Sequence, residues 1–339
     1  MFNIGGNQIL LDTESSPEPE MSGVIVTPDC YETIRKTIRY LRKQTVKHKL
    51  QIVIVAPSAE KLGLIISEVE EFFQVSVVEA GTISSLAALR AGTIRHASAP
   101  VVVFAEDHSF PEPSWAEALI QAHKGPWAAV GPVISNANPN SITSWAQFFL
   151  TYGRWTAESA SAGEIDELPG HNSSYKRAVL IDYGSGLETK LLRETILHWD
   201  LRARGHRLYL EPDARTRHVN VSRLSSIIQN LYHGRLFAAA CALNGRWSLQ
   251  KRLVYTASEP LFVFRHFRDI IRYIGRSGRH GELMPRIIPL LALGLAALGL
   301  GEMAGYVFGI GNSESLANSF EFHRHRYITK RDKQSLSGL

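Results

Sequence analysis

The sequence predicts an α/β chain with a mostly parallel sheet flanked by helices. Four short β-branched runs, Gly23–Thr27, Gln51–Ala56, Val75–Glu79 and Val101–Ala105, alternate with segments of helical period. That alternation is the pattern of βαβ units. The fourth run stops at Glu106-Asp107-His108. In open α/β sheets the carboxyl edge of the strands is where ligands bind. Acid and imidazole groups there suit a divalent metal held against a phosphate. A solvated turn is the plainer alternative for such a cluster.

The elements follow in chain order. After Gly23–Thr27, Asp29 and Glu32 have the spacing of a helix cap, and Ile34, Ile38 and Leu41 recur at helical period, so a helix is expected over roughly 30–43. Pro57-Ser58 turns the second strand into a helix ending near Phe73, and Thr82–His96 is a third helix. Beyond His108, Pro111 and Pro113 forbid further strand, and Ser114-x-x-Glu117 reads as a capping box opening a helix. Ala128–Ile134 is a further strand, followed by a helix over 142–152. Residues 155–168 are small and polar and read as a mobile loop; Pro169–Ser174 is rich in turn residues and hydrogen-bond donors. A helix over 189–204, a strand over 207–210 and a helical pattern over 222–246 come next.

The last quarter differs in character. Residues 258–277 read as an amphipathic helix, with Phe262, Phe264, Phe267 and Ile270 among Arg265, Arg268 and Arg272. Ile287–Gly311 is the most apolar stretch and is long enough to span a bilayer. Pro289, the glycines and Glu302 argue against a plain span, so a spanning or re-entrant helix, an interfacial helix and core packing stay open. Both flanks are basic and give no orientation.

Composition narrows the class. Of 339 residues, 45% are apolar and 20% charged, which are globular values. The net charge of +5 is concentrated late: Arg265, Arg268, Arg272, Arg276, Arg279 and Arg286 face only Asp269 and Glu282. The stretch where basic and aromatic residues mix, 258–277, reads as an amphipathic helix, so no nucleic-acid groove is expected. A basic region beside an apolar segment points to an anionic membrane surface, with membrane lipids as partners. Cys30 and Cys241 are far apart, forming neither a disulfide framework nor a zinc spacing, so a cytoplasmic location is expected. Residues 1–20 are acidic, do not read as a signal peptide, and are expected to be a flexible arm.

Four segments, in order and over roughly residues 22–245, resemble the family 2 glycosyltransferases of the GT-A (Rossmann-like) fold. Residues 24–45 resemble the family's opening strand and helix. FAEDHSFPEPSW (104–115) matches its acidic D-x-D motif, with Glu106 and His108 on the two Asp positions and Asp107 between them. LPGHNSSYKRAVL (168–180) resembles G-G-N-x-x-x-R-R, with Gly170, Asn172 and Arg177 in place. Residues 193–218 resemble E-D-x-x-L-x-x-x-L-x-x-x-G-x-R, a strand, P-x-A and His, with Glu194 on the second acid. Two departures stand out. Arg193 replaces the first acid, and Ala56-Pro57-Ser58 replaces an Asp-bearing turn that reads the nucleotide base.

The resemblance implies an inverting, metal-dependent glycosyltransferase using a nucleotide-diphosphate sugar and Mn²⁺ or Mg²⁺. Its acceptor would be a lipid-linked sugar or polysaccharide at the cytoplasmic face of the cell membrane. His108 and Glu106 would hold the metal, with His218 as a third ligand. Glu194 would be the base; Glu188 and Asp200 are alternatives on the same helical stretch. Thr27, Pro28, Asp29, Arg90, Glu106, Asp107, Gly170 and Asn172 would bind the donor. His171 and Arg235 would meet acceptor or phosphate. Residues 21–250 would be the transferase domain and 251–339 a membrane-associated region with a basic tail. The departures leave a second reading open, a family member that binds a nucleotide sugar or partner without turnover.

Overall fold

The computed structural model describes residues 18–158 and 160–337. The arm expected over 1–20 falls outside the described residues up to position 17. The chain divides into two compact units. One runs up to Val133 and resumes over Ser161–Arg217; the other joins Ile134–Ala160 to the chain from His218 onward.

Strand β1 (Met21–Val26) leads to helix α1 (Tyr31–Arg42), β2 (Leu50–Ala56), α2 (Ala59–Leu62), β3 (Gln74–Glu79), α3 (Leu86–Thr93) and β4 (Val101–Ala105). Then come β5 (Ser109–Pro111), α4 (Trp115–Ala122), β6 (Trp127–Asn136), α5 (Ile142–Tyr152), β7 (Gly163–Ile165), β8 (Ser174–Lys176) and α6 (Arg177–Ile181). Helices α7 (Leu187–Leu191) and α8 (Glu194–Ala203) precede β9 (Arg207–His218). The remainder is helical: α9 (Gln229–Asn244), α10 (Leu249–Arg276), α11 (His280–Leu283), α12 (Ile288–Phe308), α13 (Ser313–Phe322) and α14 (Lys330–Ser337).

Among the described residues one sheet runs in the order β3-β2-β1-β4-β8-β6-β9-β5, with β7 on β9. β3, β2, β1 and β4 are parallel; β8 lies antiparallel between β4 and β6. Every residue of β1, β2 and β4 is buried, as strands covered on both faces must be. Ile34 and Ile38 of α1, Phe72 and Trp115 close the core over them. Each such side chain contributes about 1.5–3 kcal/mol by leaving water.

Several local expectations give way to longer-range contacts. Ser114 and Glu117 form no capping box. Gln44, at the end of α1, accepts the Ala116 N–H instead, Ser114 Oγ turns to the Asp213 carbonyl, and Glu117 accepts from Thr45. Asp29 does not cap α1, whose N-cap is Cys30 without a side-chain bond; the Asp29 N–H donates to Thr27 Oγ1. The helix expected to reach Phe73 stops at Leu62, where Gly63 takes a left-handed conformation (φ 62°) and ends it. Pro111 does lie in a strand, because β5 is the sheet's edge, where a missing N–H is tolerated. The strand over 207–210 runs on to His218. Within the loop over 155–168, Gly163–Ile165 pairs with β9. The helix over 189–204 is broken, since Arg193 is extended (φ −146°, ψ 120°).

In the second unit α12 packs against α9, α10 and α5. Two of the features that argued against a plain span, Pro289 and the glycines, have local explanations. Pro289 sits in the first turn, where its missing N–H is harmless. Gly301 and Gly305 bring α12 against the Leu231 and Arg235 carbonyls of α9, leaving no room for a Cβ. α12 is long and apolar enough to cross a membrane, with mean hydropathy 1.6. The amphipathic helix begins at Leu249, earlier than expected, and exposes Leu253, Val254, Leu261 and Phe264 along one side.

Candidate active site

The turn after β4 is fixed from below. Thr37 Oγ1 of α1 donates to the Glu106 and Ser109 carbonyls, and the Ser109 N–H closes the turn on the Glu106 carbonyl. The side chains of Glu106, Asp107 and His108 therefore converge through a turn. All three are largely buried.

Within the cluster each contact sets the next. Asp107 Oδ1 lies 2.6 Å from His108 Nδ1. A carboxylate only accepts, so Nδ1 carries the proton and Nε2 faces Glu106 Oε2 at 3.3 Å. Glu106 Oε2 is also 3.7 Å from His171 Nδ1. A lone pair cannot rest against a carboxylate oxygen at that distance. A positive centre, a proton on Nε2 or a metal ion, belongs between them. Carboxylate and imidazole donors of this kind could hold a first-row divalent ion, and Asp107 fixes the orientation of the His108 ring.

Gly170–Asn172 stands beside this turn because β8 pairs antiparallel with β4. Asn172 adopts a left-handed backbone (φ 54°), and its N–H donates to the Phe104 carbonyl. Its side-chain amide donates to Ser109 and Thr216, so one residue ties β4, β5 and β9 together. Gly170 is required by its neighbour, since a Cβ there would sit 2.9 Å from Glu194 Oε2.

Glu194 is the first residue of α8, where the helix dipole favours an acid. Arg90 Nη1 donates to its Oε1 at 2.6 Å, and Nη2 stands 3.6 Å from Glu106 Oε1. Arg90 thus joins the candidate base to the strand-end cluster. Glu188 and Asp200, the alternatives, are not in this group; Asp200 is bound to Lys190, Tyr183 and Arg204. Thr27, Pro28 and Asp29 follow β1. Here the Thr27 N–H donates to Val55 and the Pro28 carbonyl accepts from Lys61. Beside the Ala56–Ser58 turn, which lacks its acid, Glu79 of β3 accepts the Ala59 N–H.

His218 and Arg235 belong to the second unit. A chain of hydrogen bonds fixes the His218 tautomer. The Asn138 N–H makes Asn136 Oδ1 an acceptor, which Asn220 Nδ2 then engages. Asn220 Oδ1 is left to accept from His218 Nδ1 at 3.0 Å, so Nε2 is the acceptor nitrogen, with the Tyr152 hydroxyl 3.4 Å away. Arg235 donates to the Gly309 carbonyl at the end of α12.

Sequence reasoning missed Thr37, Ser109, Thr216, Asn220 and the bridging role of Arg90. The local signal at Thr37 was a polar residue on the Ile34–Ile38–Leu41 face of α1; Thr216, between Arg215 and Arg217, gave none.

The profile of the Glycosyl transferase family 2 matches residues 22–184. The chain carries a family 2 glycosyltransferase domain. Its fold is GT-A-like. A mannosyltransferase from Pyrobaculum calidifontis, solved with GDP-Man and Mn²⁺, superposes with a TM-score of 0.55 at 13% identity, covering 90% of each chain. S. aureus TarS 1–349 in complex with UDP aligns with a TM-score of 0.44 at 15% identity, over 84% of this chain and 90% of that one. No curated protein sequence matches. The strand-end cluster falls inside the matched segment.

Proposed function

We propose that the protein is an inverting, metal-dependent glycosyltransferase. It would move a sugar from a nucleoside-diphosphate donor to a lipid-linked or polysaccharide acceptor at the cytoplasmic face of the membrane. The observation that carries this is the Glu106–Arg90–Glu194 connection, which sets an acid at the head of a helix beside an acid–imidazole pair. Glu106 and His108 supply a carboxylate and an imidazole donor for the ion. His218 takes its role from the family resemblance and from the tautomer that Asn220 imposes. A bound divalent ion neutralises charge developing on the diphosphate leaving group. Thr27–Asp29, Gly170 and Asn172 bind the donor, and His171 meets the acceptor or phosphate. Glu194 takes the proton from the acceptor hydroxyl as the new bond forms. Arg235, which donates to the Gly309 carbonyl, meets acceptor or phosphate as well.

The second reading, binding without turnover, is favoured by Arg193 and by the Ala56–Ser58 turn. One experiment separates the two. Nucleotide sugars are incubated with the full chain and Mn²⁺, with and without EDTA, and product is followed. Turnover that EDTA removes, and that falls about 10²–10⁴-fold in Glu194→Gln, supports catalysis. Donor binding with no product supports the binder.

Residues 251–339 are proposed to hold the protein at an anionic lipid surface. Leu261 and Phe264 are 72% and 68% exposed, and Arg265, Arg268 and Arg272 flank them. Burying one such side chain is worth about 1.5–3 kcal/mol, so Leu261→Asp with Phe264→Asp weakens binding to phosphatidylserine vesicles by at least about tenfold. Unchanged vesicle binding removes this surface from the membrane role.

A further inference from the structure

Arg90 is buried between two carboxylates, its side chain 4% exposed. Its guanidinium reaches Glu194 Oε1 at 2.6 Å and stands 3.6 Å from Glu106 Oε1. The Phe104 ring lies 5.4 Å beneath it, and its backbone is held in α3. Gly170 closes against the other oxygen of Glu194, where even a Cβ would sit 2.9 Å from Oε2. The missing side chain of Gly170 leaves room for Oε2, while Arg90 engages Oε1. An acceptor hydroxyl that approaches Oε1 must therefore displace the guanidinium. Phosphate competes well for a guanidinium, because its oxygens match the planar fork as a carboxylate does.

We propose that Arg90 is a donor-released latch on Glu194. The diphosphate of the donor draws the guanidinium away and frees Oε1 of the base. This rests on the nucleotide-donor reading and adds an order of events to it. Glu106 sets the direction. Were its Oε2, on the His108 side, to hold a cation, the carboxylate would draw less on Arg90 at Oε1, and Glu194 and the diphosphate would be the main competitors for the guanidinium. Arg90 is a positioning residue in this scheme. It links donor occupancy to the readiness of the base, since a donor-free enzyme holds Glu194 Oε1 against Arg90.

The test is a binding cycle that does not depend on turnover. ADP, CDP, GDP and UDP are titrated with Mn²⁺ into the full chain by calorimetry. The proteins are the wild type, Glu194→Gln, Arg90→Lys, Arg90→Gln and the Glu194→Gln/Arg90→Gln double variant. Glu194→Gln removes the competitor, so the preferred nucleotide binds about tenfold more tightly than to the wild type. In the Arg90→Gln background the same change alters affinity by less than about twofold. An unchanged affinity in Glu194→Gln, or an equal gain without Arg90, overturns the latch. Should Arg90→Gln fail to fold, the gain is measured on Arg90→Lys, where it must be smaller than on the wild type; an equal gain again overturns the latch. A wild-type chain that binds none of the four nucleotides removes the donor reading, and the latch falls with it.

Discussion

His108 and His198 are both buried in the same unit, and they differ in their company. His198 has neutral neighbours. The Leu168 N–H faces its Nδ1 at 3.4 Å, and the Tyr175 hydroxyl is 2.8 Å from Nε2. Burial without a counter-charge pushes its pKa down to about 3. His108 lies between Asp107 at 2.6 Å and Glu106 at 3.3 Å. Depth therefore does not mark a functional histidine. An imidazole among hydroxyls and amides is a packing element whose polar atoms are satisfied. One between two acids sits where positive charge is wanted, and a proton or a metal meets that demand.

The largest expected effect separates the two positions. On the proposed metal role, His108→Ala lowers kcat by at least about a hundredfold while the melting temperature stays within a few degrees. His198→Ala costs about 2–4 kcal/mol of stability, through a cavity and an unpaired tyrosine hydroxyl, and leaves kcat per folded molecule little changed. Loss of turnover in a folded His198→Ala protein breaks the comparison. The next effect is on the outer partner. Asp107→Asn weakens Mn²⁺ binding about 10–100-fold, whereas Tyr175→Phe, its counterpart at His198, leaves Mn²⁺ affinity unchanged. Titration of Mn²⁺ by its effect on water relaxation reads both.

The smallest effect is in pH dependence. His198 and His123 have folded pKa values lowered to about 3 and about 4, both chiefly by burial, from an ordinary 6.5. Below pH 6.5 the unfolded chain takes up protons that the folded chain refuses. Their contribution is intact above that pH and is lost as pH falls, at about 1.4 kcal/mol per pH unit for each imidazole. Urea midpoints at pH 7, 6 and 5 measure the slope, and His123→Asn is expected to remove about half of it. A flat profile means that these imidazoles are not held neutral by the fold.

The parallel half of the sheet is legible in the sequence because each strand is a β-branched run buried on both faces. The strand-end cluster is legible for a related reason, as charge interrupting such a run is visible locally. What stays hidden depends on distance along the chain. Arg90 meets Glu194 from 104 residues away, and no periodicity encodes that. The failed capping boxes teach the same thing from the other side. Ser114 and Glu117 have the right spacing, but Gln44, 72 residues off, reaches the Ala116 N–H first. The short strands β5, β7 and β8 have three residues each, too few for alternation to register. Glu194 was legible only through the family resemblance. Its position at the head of α8, after the extended Arg193, was not.

Asn172 carries a consequence for how this segment tolerates change. Its backbone sits where most side chains are strained, and its amide serves two strands at once. Glycine would keep the backbone and lose the amide; glutamine would keep the amide and strain the backbone. No single replacement satisfies both demands. A saturation map of residues 168–176 should therefore show one position that accepts almost nothing. Divergence among descendants of this chain would flow around that residue, leaving it as the fixed point from which the rest of the loop can be rewritten.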